Sequence, residues 1–367
     1  MSTEMVNHQV HIGVDIKPSS AAGPPPPLSA FKTEPSPPIS IKSVGLIYNP
    51  VSGNKAGKKR AEGIVKPMLE AAGVAVTMMP TERAGHAIEL AKQAALGDFD
   101  ALLALGGDGT LSDVASGFLQ QLDASGATPK AVLGFIPGGT GNTVMHDFNG
   151  KRQKGDAAVR AAVEMLLKGH TRKIDCCKIE CTGSDGATPL VRHSINIVTA
   201  GLGVDANAAA EKRRWMGPMR YDFSIITELL KIPCRKPLPC TLEVDGKKMS
   251  LDLFVLTIMN NKHSGVGLRL CPYAQMDDGK IDLMYTPAPI SSVLTALKLD
   301  GLIKKKGRHV NHPLVAYDTA ASSVSLKSEG APVRIMCDGD QCGFTPLKMT
   351  VLPASVTVLT PMSAAAC

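Results

Sequence analysis

Aromatic residues make up only 4% of this 367-residue chain, with a single tryptophan, and none interleaves with its densest basic run, Lys304, Lys305, Lys306 and Arg308. Base stacking needs such interleaving, so no nucleic-acid partner is expected. The chain also lacks any apolar run near the roughly 18 residues a membrane-crossing helix requires, and any apolar core of a signal peptide. A cytoplasmic chain, at most peripheral at membranes, is the expectation. The nine cysteines are odd in number and scattered, with Cys176, Cys177 and Cys181 the one cluster and no CxxC pair. This argues against a disulfide framework or a zinc site and for reduced, mostly buried thiols. Nor is there a Walker A loop. Gly53 to Lys59 reads GNKAGKK, one residue short between its glycines, with Lys59 where Ser or Thr would bind magnesium.

What the chain does have is bulk: 44% hydrophobic residues over this length can bury a large core and suggest two domains. Residues 1–40 form a Pro-rich tail, with prolines at 24–27 and around 35–38, that cannot offset its ordering entropy and is assigned no fold; its partner is unknown. From 41 to 170, apolar strands Val44 to Tyr48, Val74 to Met79, Ala101 to Leu105 and Ala131 to Ile136 alternate with helical stretches, the mark of a parallel α/β layer. Leu111, Val114, Phe118, Leu119 and Leu122 recur at helical spacing and give one apolar face to pack on that sheet. From 171 to 360 the texture turns to β-rich runs, Lys173 to Cys181, Ser194 to Thr199, Leu251 to Met259, Lys280 to Tyr285 and Val351 to Leu359, and a mostly antiparallel second domain is expected. Helical stretches near Gly217 to Lys231 and Ile290 to Lys306 interrupt it, and 361–367 is a short tail. The formal charge of +7 favours acidic ligands, a nucleotide or an anionic lipid surface.

Chemistry concentrates in three loops. Gly106, Gly107, Asp108, Gly109 and Thr110 join the third strand to a helix, where backbone amides without helical partners can hold a phosphate. Asp108 is an acid placed where an anion should bind, which suits a group that takes a proton from an attacking hydroxyl or meets phosphate through a metal. Pro137, Gly138, Gly139, Thr140, Gly141 and Asn142 follow the fourth strand, and Asn49, Pro50, Val51, Ser52 and Gly53 follow the first. In a parallel sheet these loops share the carboxyl edge and converge on one crevice, a reading of phosphoryl transfer. Asp113 is either a dipole-favouring acid of the first helical turn or a group facing the nucleotide or metal. Lys55, Lys58, Lys59 and Arg60 read first as a solvated helix start.

Together NPVSG, TERAGHA at 81–87, GGDGT, PGGTGN and DGD at 338–340 resemble the diacylglycerol kinase catalytic family, in particular its sphingosine kinase and ceramide kinase branch, over about residues 44–360. The resemblance implies an ATP-dependent lipid kinase with a Rossmann-like nucleotide domain, a β-sandwich lipid domain and Mg2+ carried with ATP. It implies that Asp108 is the base deprotonating a primary hydroxyl. Asn49, Pro50, Thr81, Gly107, Gly109, Thr110, Asp113, Gly139, Thr140, Arg214, Arg220, Gly339 and Asp340 would then contact ATP. Gly339 and Asp340 stand for a DGE motif with the acid shortened by one methylene. Sphingosine kinases place two aspartates two residues apart at the lipid's polar head, and here the pair is Asp205 and Asn207. A sphingoid base is the expected acceptor, in sphingolipid metabolism, with ceramide or diacylglycerol as the alternative because Asn207 brings no charge to a free amine. A transient membrane surface is the other expected partner. NAD kinases share the GGDG loop, but PGGTGN and the segment Pro272 to Leu283, with Asp277, Asp278, Gly279 and Asp282, favour the lipid family.

Overall fold

Residues 32–94, 99–125, 130–139, 141–217, 219–265, 267–305 and 307–362 are described by a computed structural model. The first unit is a parallel sheet of β1 (Ser43–Tyr48), β2 (Ala75–Pro80), β3 (Ala101–Gly106) and β4 (Val132–Pro137) in the order β2-β1-β3-β4. Both faces of β3 and β4 are buried along their whole length, which is why they read as unbroken apolar runs rather than alternating ones. Short helices α1 (Ser52–Lys55), α2 (Gly57–Arg60) and α3 (Lys66–Ala71), with a π-helical turn at Ala61–Val65, lead from β1 to β2. Helices α4 (His86–Gln93) and α5 (Asp108–Ser125) bracket β3. Leu111, Val114, Phe118 and Leu119 of α5 are buried against the sheet, as their spacing requires. After β4 come α6 (Thr143–Asn149) and α7 (Gly155–Leu167).

The second unit is antiparallel and starts with β5 (Thr171–Thr182), β6 (Pro189–Ser194) and β7 (Ile197–Gly201). Helices α8 (Leu202–Glu211) and α9 (Met219–Leu230) follow, then β8 (Leu238–Val244), β9 (Lys247–Leu253), β10 (Val255–Met259), and the small pair β11 (His263–Ser264) and β12 (Leu268–Arg269). It continues through β13 (Ile281–Tyr285), α10 (Val293–Lys304), β14 (Ala316–Ala321), β15 (Ser323–Ser328) and β16 (Arg334–Cys337), and ends with β17 (Asp340–Leu359). The α/β class with a parallel Rossmann-like layer followed by an antiparallel β-sandwich is thus as expected.

Two of the expected strands are divided. The run 194–199 breaks at Ile195–Asn196, and the run 251–259 breaks at Phe254, where β9 leaves its partner β8 and β10 joins β7 and β13. Residues 194–197 and 253–254 stay buried through the breaks and neither holds a glycine or proline, so the exchange of hydrogen-bond partners is what marks them.

The 20-residue β17 ties the two units together. It pairs antiparallel with β5, β15 and β16, and its Val358 pairs parallel with Leu133 of β4. Residues 32–40, assigned to the foldless tail by composition, in fact bond to this body. Asp277 accepts from the amides of Lys32 and Thr33 at 2.6 and 2.8 Å, and the Ile39 amide donates to the Gly169 carbonyl at 2.9 Å. Partners some 240 positions away supply what the local composition lacks. The rest of the tail, 1–31, and residues 363–367 lie outside the described residues.

Candidate active site

The three loops meet at the carboxyl edge of the parallel sheet. The Asn49 side chain accepts from the Val51 amide at 3.0 Å, an Asx turn that folds the chain back after β1, while its own amide bonds the Leu105 carbonyl of β3. Gly53 has a φ of +55°, and a Cβ there would stand 2.2 Å from the Gly138 carbonyl oxygen. Arg60 donates to that same carbonyl at 3.2 Å and pairs with Asp156 at 2.9 Å, so it staples two loops together rather than lying solvated. The Gly138 amide bonds the Gly106 carbonyl at 2.6 Å. Asn142 closes the next turn: its Oδ1 accepts from the Gly139 amide at 3.0 Å and its Nδ2 donates to the carbonyls of Gly139 and Gln153, both at 3.1 Å.

Asp108 opens α5 and faces the start of α6. Its Oδ1 accepts from the amides of Thr143 at 2.6 Å and Val144 at 3.3 Å. A Cβ on Gly141 would lie 2.5 Å from its Oδ2, so only glycine leaves that oxygen accessible. Burial raises the Asp108 carboxyl above its ordinary value, and the bonds from Thr143 and Val144 oppose the rise. Asp113, one turn on, pairs with Arg192 at 3.2 Å; burial lifts it to about 6 against that arginine, helped by the charges of Asp340 and Asp338.

Asp108, Asp113, Gly141 and Thr143 line the polar end of a cavity of about 970 Å3, together with Asn49, Pro50, Thr81, Gly107, Gly109 and Thr110. Gly139, Arg220, Asn207, Gly339 and Asp340 also lie on its wall. Its other end is apolar, walled by Ile225, Leu229, Phe254, Met284, Ile290 and Leu299. Ile225, Leu229, Ile290 and Leu299 of the two interrupting stretches are therefore core and cavity wall at once, while Ile226, Leu230, Leu294 and Leu297 are exposed. His309 sits there, buried, its Nε2 on the Leu270 carbonyl at 3.0 Å and its pKa lowered by burial to about 4, hence neutral.

Several expected site residues stand differently. Asp205 is off the cavity wall: Arg235 holds its Oδ2 at 2.7 Å and Arg334 takes its Oδ1. Its charge is spent on two arginines, so it has none to offer a lipid head group. Asn207 does line the cavity, but its Nδ2 donates to the Gly339 carbonyl at 2.7 Å and props the Asp338–Asp340 turn. That turn needs the support, since Asp338 and Gly339 have φ of +53° and +100°. Arg220 is on the wall with Glu211 at 3.3 Å, which offsets its charge. Thr140 and the side chain of Arg214 lie outside the described residues.

Other residues escaped sequence reasoning. Asp147 on α6 bonds the amides of Lys262 at 2.9 Å and His263 at 3.3 Å, and its second oxygen pairs with His263 Nδ1. The His146 ring stacks on His263 at 4.0 Å. This clamp sets the Ser264–Gly265 turn into the cavity wall, with the Gly265 carbonyl 3.0 Å from a Cβ on Gly141. Asn196 Nδ2 donates to Thr143 Oγ1 at 3.2 Å, and Ser52 and Lys55 also line the polar end. Ser52 belongs to the NPVSG loop already named, and Lys55, read from sequence as part of a solvated helix start, instead lines the cavity; Asn196, Asp147 and His263 had no local signal.

A model of the diacylglycerol kinase catalytic domain matches residues 43–179, and one of the YegS C-terminal NAD kinase beta sandwich-like domain matches residues 196–360. A diacylglycerol kinase of Mycobacterium tuberculosis is 31% identical over 323 residues, covering 88% of this chain and 96% of that one. One from Staphylococcus carnosus is 27% identical over 327 residues, covering 87% and 95%. A crystal structure of a diacylglycerol kinase from Bacillus anthracis superimposes with a TM-score of 0.66 at 22% identity, covering 88% and 98%, which is a likeness of fold.

Proposed function

The chain belongs to the diacylglycerol kinase catalytic-domain family of ATP-dependent lipid kinases, and from that premise we propose that it phosphorylates the primary hydroxyl of a diacylglycerol. The observation that carries this is a single cavity with Asp108 and two glycine loops at one end and an apolar wall at the other. An amphipathic acceptor can lay its chain along that wall while its hydroxyl meets the base. Asp108 is the base: its Oδ1 is held by two amides and its Oδ2 faces glycine, so one oxygen fixes the orientation and the other takes the proton. The lipid O–H bond breaks, its oxygen bonds the γ-phosphorus, and the bond from that phosphorus to the β-phosphate oxygen breaks to release ADP. A carboxyl raised by burial is a better proton acceptor than an ordinary one. Gly107, Gly109 and Thr110 of one loop and Gly139 and Gly141 of the other line the end of the cavity that would take the phosphates, and Lys55 brings positive charge to the same wall.

Among the described residues no three His, Cys, Asp or Glu side chains gather to cage a metal ion. Mg2+ seldom needs such a cage, because one or two carboxylates and substrate phosphates suffice. Asp113 and Asp340, the second close enough to raise the carboxyl of the first and both on the cavity wall, fit that minimal role. Mg2+ bound there with ATP would screen the phosphate charge.

A diacylglycerol is preferred to a sphingoid base because Asn207 stands where an acid would balance the amine, and Asp205, the acid two positions before it, is paired to Arg235 and Arg334. The relatives named above are diacylglycerol kinases by description. The test is transfer of labelled γ-phosphate from Mg·ATP to diacylglycerol, sphingosine, ceramide and NAD in mixed micelles, with Asp108→Asn as the blank. Label on diacylglycerol above the others is expected. Label confined to sphingosine, ceramide or NAD would overturn the reading.

A further inference from the structure

Seven of the twelve large apolar side chains exposed among the described residues gather on two neighbouring elements. Trp215, Met219, Phe223, Ile226 and Leu230 follow at spacings of four, four, three and four, one stripe along the outside of α9 and the turn before it. Leu294 and Leu297 add to it from α10, which Lys304 joins to α9 through Asp222 at 2.8 Å. These seven are between 36% and 83% exposed. The inner side of α9 is apolar as well, with Ile225 and Leu229 on the cavity wall. A helix that is apolar on both sides is at home with core on one and a non-aqueous phase on the other.

Charge says which phase. Residues 211–236 hold seven lysines and arginines against three acids, and residues 293–308 five against one. These 42 residues therefore carry a formal +8, while the whole chain carries +7, so the remainder is close to neutral. Lys212, Lys231, Lys298 and Lys305 are exposed around the stripe. A second copy of the chain would bring the same positive field to the contact, which like charge opposes. The first 31 residues bring one lysine against two acids and few apolar anchors, a poor match for this surface.

We propose that the outer face of α9 and α10, with Trp215 at its edge, docks the protein on an anionic lipid bilayer. The apolar stripe enters the boundary between head groups and acyl chains, and the lysines lie over the phosphates. Because the same helix walls the apolar end of the cavity, docking sets that end directly above the membrane. This rests on the lipid-kinase reading for its purpose but not for its geometry.

The test is sedimentation of the full chain with phosphatidylcholine vesicles, with and without phosphatidylserine, beside phosphorylation of a short-chain, water-soluble diacylglycerol without vesicles. Wild-type protein is expected to sediment only with phosphatidylserine present, and less so at high salt. Phe223→Glu and Leu294→Glu should each weaken binding by roughly tenfold or more, and Lys298→Glu with Lys305→Glu should erase the dependence on phosphatidylserine. All should keep their activity on the short-chain substrate, which also shows that they fold. Undiminished sedimentation of Phe223→Glu and Leu294→Glu overturns the docking face, as does a dimer that Leu294→Glu disperses while vesicle binding persists. Inactivity of wild-type protein on the short-chain substrate counts against the kinase reading instead, and leaves the sedimentation result to judge the surface.

Discussion

A β-carbon on Gly139 would stand 2.5 Å from the α-carbon of Gly107. The loops after β3 and β4 thus touch backbone to backbone, and the glycines serve this approach before any phosphate arrives. Gly139→Ala should force the loops apart, lower stability by about 2 kcal/mol and weaken phosphoryl transfer. Gly107→Ala places its new carbon 3.5 Å from Gly139, an ordinary contact, and should melt nearer to wild type. Thermal melts of the pair check the contrast, and equal losses would contradict it.

Asp108→Asn keeps an oxygen to accept from the amides of Thr143 and Val144 but can no longer take a proton. Turnover should fall by about 10² to 10⁴-fold, with the KM for ATP changed only a few fold and the melting temperature preserved. Steady-state kinetics with ATP as the varied substrate measures both quantities.

Asp282 gives a pH signature. Burial lifts its carboxyl from 3.8 to about 7, with the hydrogen bond from Tyr317 opposing. The folded chain then keeps a proton up to about pH 7 that the unfolded chain releases near pH 4, so this group's contribution to stability is full below pH 4 and is lost as pH rises toward 7. Asp282→Asn removes the titration while leaving an oxygen for the Tyr317 hydroxyl. Its melting temperature should gain on wild type steadily across that window, and a constant difference from pH 4 to 8 would refute the assignment.

Asp205→Asn separates a structural acid from a substrate-binding one. Loss of the pairs with Arg235 and Arg334 should lower stability by about 1 kcal/mol, while the preference among diacylglycerol, ceramide and sphingosine stays as in wild type. A changed preference would return Asp205 to the lipid site.

The loops were legible because turn chemistry is local: glycines, an Asx turn and a strand before each are written in consecutive residues. The four parallel strands were legible for a related reason, since their boundaries fall within a residue or so of the apolar runs. Breaks at Phe254 and at Ile195–Asn196 were not, because no glycine or proline punctuates them and the switch of partners is a non-local event. The stripe on α9 was visible as apolar residues at helical spacing, but spacing alone does not say which apolar face meets core and which meets solvent.

Asp205 and Asn207 show where sequence ends. They lie two positions apart on one helix and look like one constellation. Yet Arg235, 30 residues on, and Arg334, 129 residues on, claim the first, and Gly339, 132 residues on, claims the second. Sequence determined the glycine loops at the carboxyl edge of the sheet, the acid among them and the order of parallel then antiparallel strands, all of which follow from residues near each other in the chain. Tertiary structure alone decided which polar groups stay free to meet a substrate, because a side chain's partner is set by what the fold carries to it from far along the chain.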